Sequence, residues 1–205
     1  MLVKKKEKLC RKFGQKLLMS ERCETKCALD RRRTRPGVHG HKVKAISDYG
    51  KLLIEKQKLR YFYLLKNKQL KNLIDKCRKS KEPLPSALIK ILESKIDNVV
   101  WRLGYAKSKF QARQLVSHGH FMVNGKRIKT ANYFLKPGDV IEIREKSKKL
   151  DIFKDLQKRL KGYIVPSWLK IDINTLKGEF LRYPELEEVA LPFDINLAIQ
   201  FFSRY

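Results

Sequence analysis

The chain has 205 residues, with 48 Lys+Arg against 21 Asp+Glu and a formal net charge of +27. At 42% hydrophobic and 34% charged residues it holds enough apolar material for one large or two small cored domains, which excludes a wholly disordered tail. No uncharged apolar run approaches the ~20 residues of a membrane span, and the opening Met1-Leu2-Val3-Lys4-Lys5-Lys6 lacks the apolar stretch of a secretory signal, so neither a secreted nor a membrane protein is expected.

Residues 1–46 show weak periodicity, many basic side chains and the turn-rich run Arg35-Pro36-Gly37-Val38-His39-Gly40. They read as an extended arm that becomes ordered on a partner. Ser47-Asp48 offers an N-cap, and Tyr49, Leu52, Leu53, Leu59, Phe62 and Tyr63 follow at near-helical spacing. Leu70, Leu73, Ile74 and Cys77 predict a second helix. After Pro83 and Pro85 a third helix is capped by Ser86, carries the stripe Leu88, Leu92, Ile96, Val99, Val100 and Leu103, and stops at Gly104.

Ser108-Lys109-Phe110-Gln111 is a capping box that opens a helix through Val116, ended by His118-Gly119. Phe121-Met122-Val123, the hairpin signal Asn124-Gly125 and Lys126-Arg127-Ile128 come next. Tyr133-Phe134-Leu135, the turn Lys136-Pro137-Gly138-Asp139 and the alternating Val140-Ile141-Glu142-Ile143 complete a predicted small sheet. Glu145 to Gly162 reads as a basic helical connector, Trp168 to Ile171 as a strand, and Asp194 to Arg204 as a helix with Ile195, Ala198, Ile199 and Phe202 on one face. The expected fold class is α+β, with a helical domain, a small module of two helices on a short, mostly antiparallel sheet, and the basic arm. The expected divisions are the arm at 1–46, a helical domain at 47–93 completed by 166–205, and the module with its connector at 94–165.

The charge is not evenly spread along the chain. Residues 1–80 carry 25 basic and 7 acidic side chains, residues 81–162 carry 19 and 8, and residues 163–205 carry 4 and 6. Self-repulsion on that scale is tolerated when a polyanion neutralises it. Because the cations are scattered over helices, turns and strands and not gathered on one amphipathic helix, nucleic acid is the expected polyanion and a membrane surface is not.

The candidate contacts follow from chemistry. Folded RNA is read through shape, phosphates and 2′-hydroxyls, which suits the planar fork of Arg and the point charge of Lys. Lys107, Lys109, Arg113, Gln114, His118, His120, Lys126 and Arg127 are expected to form one continuous RNA-facing surface, with Lys109 and Arg113 on one helix face. In the arm, Arg31, Arg32, Arg33 and Arg35 flank Pro36-Gly37 and His39-Gly40, where glycine permits close backbone approach. Tyr49, Tyr61 and Tyr63 are read as core. No Gly-rich phosphate loop, HExxH or Gly-x-Ser-x-Gly is present, so catalysis is not expected.

Several blocks resemble one family. They are Arg35 to Gly40, Ser47 to Gly50, Glu55-Lys56-Gln57-Lys58-Leu59-Arg60, Leu92 to Gly104, Ala112 to His120 with Val123-Asn124-Gly125, and Phe201-Phe202-Ser203-Arg204. Together they are similar to small-subunit ribosomal protein four of the bacterial and organellar type. That resemblance adds Lys56, Lys58, Arg60, Arg102 and Asn124 to the expected RNA contacts. It implies a primary binder of small-subunit rRNA at a multi-helix junction of the 5′ domain, which starts subunit assembly. It also implies a place beside ribosomal protein five and near the path by which mRNA enters, an effect on decoding accuracy, and location in the ribosome of a bacterium or of the matrix or stroma of a bacterium-derived organelle. The alternatives are a free RNA-binding chaperone of ribosomal particles, or an RNA-modifying enzyme that shares the module and needs a catalytic domain beside it. Many members of that family bind zinc through four N-terminal cysteines. Here Cys10, Cys23 and Cys27 fall near three of those positions and Glu7 stands near the other, so Glu7, His39 or His41 would have to complete the set. The expectation is three free thiols and no cofactor, with zinc as the alternative reading. Cys77 is expected to be a small buried hydrophobe.

Overall fold

The computed structural model describes residues 7–17, 23, 25–41 and 45–204; the reading of residues 1–6 lies outside them. The chain divides into two compact units, one of residues up to 88 with 186–205 and the other of residues 89–185.

In the first unit the described part of the arm is not extended throughout. It forms α1 (Glu7–Phe13) and α2 (Ala28–Arg31), around the buried Cys10, Cys23 and Cys27. The main helix α3 (Asp48–Phe62) starts where the cap was expected, with the Ser47 hydroxyl accepting from Gly50 N at 3.3 Å. The helix α4 (Asn67–Cys77) buries Leu70, Leu73, Ile74 and Cys77, the four positions of its stripe. The final helix α11 (Ile195–Arg204) packs along α3. Asp194 caps it by accepting from Asn196 N and Leu197 N. Its buried ring is Phe201, whereas the expected Phe202 is half-buried. Phe62 meets Phe193 edge to face at 5.5 Å.

The helix α5 (Leu84–Glu93) begins between two prolines, with Pro85 in its first turn, where a missing N–H costs no helical bond. The expected single third helix is in fact two. The chain leaves the helix at Ser94-Lys95, and α6 (Ile96–Arg102) follows. The break is held by an outside partner: Leu135 N donates to Ser94 O at 2.8 Å and Ile96 N donates to Tyr133 O at 2.9 Å. Accordingly Tyr133–Leu135 is no strand of the main sheet but forms an isolated bridge with Lys95.

The second unit continues with α7 (Lys109–His118) and a five-stranded antiparallel sheet. Its strands are β1 (Phe121–Val123), β2 (Lys126–Ile128), β3 (Asp139–Ile143), β4 (Leu169–Asp172) and β5 (Lys177–Phe180), in the spatial order β2-β1-β3-β5-β4. Asn124 and Gly125 both have positive φ, at 48° and 76°, as the tight hairpin between β1 and β2 demands. Phe121 stands opposite Ile128 on one side and Ile143 on the other, which turns Phe121, Val123, Ile141 and Ile143 inward. The C-terminal segment 166–205 was expected to complete the helical domain as a whole. Only its last part does so, because β5 pairs with β3 and extends the module's sheet. The connector is three short helices, α8 (Glu145–Lys148), α9 (Asp151–Lys154) and α10 (Leu156–Leu160), which bury Phe153, Leu156 and Leu160.

One glycine sets how closely β5 approaches the helical layer. A Cβ at Gly178 would lie 2.5 Å from Leu103 Cδ1 and 3.2 Å from the Tyr105 hydroxyl, and that hydroxyl donates to Leu176 O at 3.0 Å. Leu103 and Tyr105 are fully buried and have no room to retreat. Gly178→Ala is therefore expected to lower the unfolding free energy by about 1–3 kcal/mol through overpacking, measured by urea denaturation. A variant as stable as the parent would show that the layer yields freely.

Candidate nucleic-acid interface

The module's cations divide into an inner and an outer set. Ser108 Oγ accepts from Gln111 N at 3.2 Å, which opens α7, while Gln111 Oε1 accepts from Lys107 N, one residue before the reciprocal bond of a strict capping box. Lys109, at the first turn, is directed inward. It is buried, and its Nζ lies 4.5 Å from the centre of the Trp101 ring. Burial first, then the charge of Arg102, holds its pKa well below the ordinary lysine value.

Two buried acids organise the rest of the inner set. Glu93 is fully buried and accepts from Asn98 Nδ2 at 2.7 Å and from Arg102 Nε and Nη2 at 3.2 and 3.0 Å. Asp97 takes Lys95 Nζ at 3.1 Å and Arg113 Nη1 at 3.2 Å. Lys95 is buried so deeply that its pKa falls, although Asp97 opposes the shift. The single RNA-facing surface expected from the sequence is therefore interrupted: Lys109 is internal, and Arg102 and Arg113 are half-buried and bound to acids.

The outer set is the cations Lys107, Lys126 and Arg127 with the polar Gln114 and His118 beside them, all exposed. Arg127 also has a structural duty. Its Nε and Nη2 donate to Gly119 O and His118 O, each at 2.9 Å, and so satisfy carbonyls at the C-terminal end of α7. Gly119 makes this possible with φ 73° and no Cβ, which would lie 2.5 Å from Arg127 Nε. Asn124 is held within the fold, donating to Asp139 Oδ1 at 2.8 Å and accepting from Val140 N at 2.9 Å. His120 is half-buried with Nδ1 2.9 Å from Ser147 Oγ. The sequence reading missed the exposed Lys129 beside the hairpin and the organising roles of Glu93, Asp97 and Trp101. Acids spaced among lysines were the available signal for those roles.

In the first unit Arg31, Arg32, Arg33, Arg35, Gly37 and His39 are exposed. The turn closes through Gly40 N donating to Gly37 O at 3.2 Å, and a Cβ at Gly40 would run into the carbonyl of Arg35. Arg11 Nε donates to Thr34 O at 3.0 Å and anchors the Arg-rich segment. A groove of about 450 Å³ lies here, lined by Arg11, Lys12, Arg33, Arg35 and Lys51 with the Glu55–Lys58 pair. Lys56, Lys58 and Arg60 are not the outward cations expected. Lys58 is buried against Glu55 at 2.7 Å, and Glu55 also accepts from Asp194 N. Lys56 is buried 3.9 Å from the centre of the Phe201 ring, with its pKa lowered by burial and then by Arg60. Arg60 is half-buried, over the Tyr61 ring at 4.4 Å and bonded to Asn67. Of the three tyrosines read as core, Tyr63 is buried, Tyr61 half-buried and Tyr49 exposed.

Two outcomes test this architecture. Glu93→Ala strips the partner from a largely buried guanidinium and is expected to cost about 3–5 kcal/mol of stability in chemical denaturation. His120 has its pKa lowered from 6.5 by burial first, then by His118, Arg127 and Arg144. The unfolded chain thus takes up this proton first as pH falls past 6.5, and the folded state loses stability from there down to the lower folded value. His120→Asn is expected to flatten the stability profile between about pH 7 and pH 5, followed by urea midpoints.

Comparison with known proteins covers the same two regions. The family model for the ribosomal protein S4/S9 N-terminal domain matches residues 2–93, and that for the S4 domain matches residues 94–141. A Thermus thermophilus protein named small ribosomal subunit protein uS4 is 46% identical over 200 residues, covering 96% of each chain. Proteins of the same name from Thermotoga petrophila and Kosmotoga olearia are 45% and 44% identical, again over 96% of each chain. Identity at that level along almost the full length, with family models matching residues 2–93 and 94–141, makes the chain a member of the small ribosomal subunit protein uS4 family.

Proposed function

We propose that this chain is a structural, non-catalytic constituent of the small ribosomal subunit that binds its rRNA directly. The observation that carries the reading is the match over 96% of both chains to proteins named for that subunit. The exposed cations support it, since the arm and the module each present several at once. In finer detail, the chain seats on a multi-helix junction of the rRNA 5′ domain and nucleates subunit assembly. It lies beside ribosomal protein five, near the path by which mRNA enters, and contributes to decoding accuracy there. Its location is the ribosome of a bacterium or of a bacterium-derived organelle.

The division into inner and outer cations assigns roles within that reading. Lys107, Gln114, His118, Lys126 and Arg127 meet phosphates and 2′-hydroxyls from the module, and Arg31, Arg32, Arg33, Arg35, His39 and the Gly37–Gly40 turn do so from the arm. Lys56, Lys58, Arg60, Arg102, Lys109, Arg113, His120 and Asn124 act mainly by holding those elements in place.

The test is a salt titration on a transcribed 5′ domain and on an unrelated structured RNA of equal length. A preference of about a hundredfold that survives physiological salt is expected of a specific junction binder. Equal binding to both would reduce the chain to a general RNA chaperone. In the same assay, replacing Lys107 and Lys126 together with Ala should weaken binding and flatten the log–log salt slope by about 1–2. Lys109→Met should leave the slope unchanged; a flatter slope would return Lys109 to the RNA-facing set.

A further inference from the structure

The groove of about 450 Å³ in the first unit joins two kinds of side chain. Its cations are Arg11 and Lys12 of α1, Arg33 and Arg35 from the segment that follows α2, and Lys51 of α3. Its apolar members are Phe13, Ile46, Ile54 and Leu197. Lys12, Arg33, Arg35 and Lys51 are exposed, whereas Phe13, Ile54 and Leu197 are half-buried. Glu55 also lines the groove, but its oxygens are engaged by Lys58 Nζ at 2.7 Å and by Asp194 N at 3.0 Å. The positive charge of the groove therefore stands largely uncancelled.

Two contacts fix the arm's share of this lining. Arg11 Nε and Nη2 donate to Thr34 O and Arg35 O at 3.0 and 3.4 Å, which ties the Arg-rich segment to α1. The Phe13 ring lies 6.0 Å from that of Tyr61 on α3.

Cations alone would suffice to meet a phosphate backbone. Apolar groups inside a cationic groove call for a ligand that is both apolar and anionic, because phosphates would leave them against water. The volume falls in the range of about 300–1,000 Å³ that takes a small organic group, beyond what a lone phosphate fills. A nucleotide has this chemistry. In a duplex the bases are stacked inside, and the groove would meet only phosphates and 2′-hydroxyls; an unpaired base can be splayed out and stacked on an aromatic ring. Exposed cations continue along the chain at Arg31 and Arg32, which suits a strand that runs on past the groove better than a free nucleotide.

We propose that this groove takes one unpaired nucleotide of a structured RNA, with its base against Phe13, Ile54 and Leu197 and its flanking phosphates on Lys12, Arg33 and Arg35. The proposal rests on the rRNA-binding reading only for the source of that RNA. A helical junction supplies unpaired nucleotides and a continuous duplex does not, so the groove gives the arm a way to tell them apart that charge alone lacks.

The test uses the full chain and two RNA duplexes with the same number of phosphates, one fully paired and one carrying a single bulged nucleotide. The bulged duplex should bind about tenfold tighter, as expected from one base stacked on an aromatic ring. Phe13→Leu keeps an apolar side chain on α1 and changes no charge. It should erase most of that preference and leave the log–log salt slope on the paired duplex as it was. Ile54→Gln should reduce the preference in the same way. Replacing Arg33 and Arg35 together with Ala should flatten the slope on the bulged duplex by about 2. Equal binding of both duplexes by the unaltered chain overturns the proposal whether or not the variants fold, and so does a preference that survives both Phe13→Leu and Ile54→Gln. Displacement of the bulged duplex by an equal concentration of uridine monophosphate would overturn the strand as occupant. A chain that prefers the bulge but not the 5′ domain transcript keeps the groove and loses the rRNA assignment, and the converse result loses the groove alone.

Discussion

Two buried carboxylates hold the second unit together. Glu93 and Asp97 between them engage Lys95, Arg102 and Arg113, and their fields reach Lys109. In a chain carrying +27, four described lysines, Lys56, Lys58, Lys95 and Lys109, are nonetheless buried. Placing an acid at the centre of each inner group turns mutual repulsion into attraction in a medium where charge is weakly screened. The ordering extends outward from there. Glu93 ties the end of α5 to α6, Asp97 ties α6 to α7, and α7 then carries Gln114 and His118 to the surface.

The first unit uses the same device with one acid and one ring. Glu55 receives Lys58 from its own helix and the backbone of Asp194 at the start of α11, and Lys56 lies over Phe201 of α11. The positive side chains of the Glu55–Arg60 block thus fasten the C-terminal helix. Among the described residues, cations of α1, of the Arg31–Arg35 segment and of α4 stay exposed beside this fastening.

Much of this fold was legible from residue types alone. Ser47 and Ser108 capped their helices, Asn124-Gly125 turned its hairpin, and Gly104 and Gly119 took the left-handed conformation that ends a helix. These are local signals, fixed within a few residues. The errors lay where the answer depended on a distant partner. The break at Ser94-Lys95 exists because residues 133–135 bond to it, and the apolar stripe runs across the break without a mark. The strands at 169–180 look no different from a hairpin that would pack on helices, and only β3 decides their place. The candidate site was legible as a set of segments but not residue by residue. A lysine has a long apolar stem that serves equally well to reach a phosphate or to lie across an aromatic ring. Nothing within the Ser108-Lys109-Phe110 run says that Trp101 will be there to receive Lys109.

Arg127 illustrates what such an arrangement does for recognition. Its guanidinium is fixed by two carbonyls at the end of α7, and the absent side chain of Gly119 lets it approach that closely. A free arginine on a surface loses the freedom of several rotatable bonds when an anion captures it, and that lost entropy weakens the contact. Here folding has already removed that freedom. The remaining N–H groups of the fork point in one set direction before any partner arrives. In the rRNA-binding role proposed above, a rigid donor of this kind discriminates by distance and angle, which favours a polyanion whose phosphates are themselves held in a fixed shape over one that is merely charged.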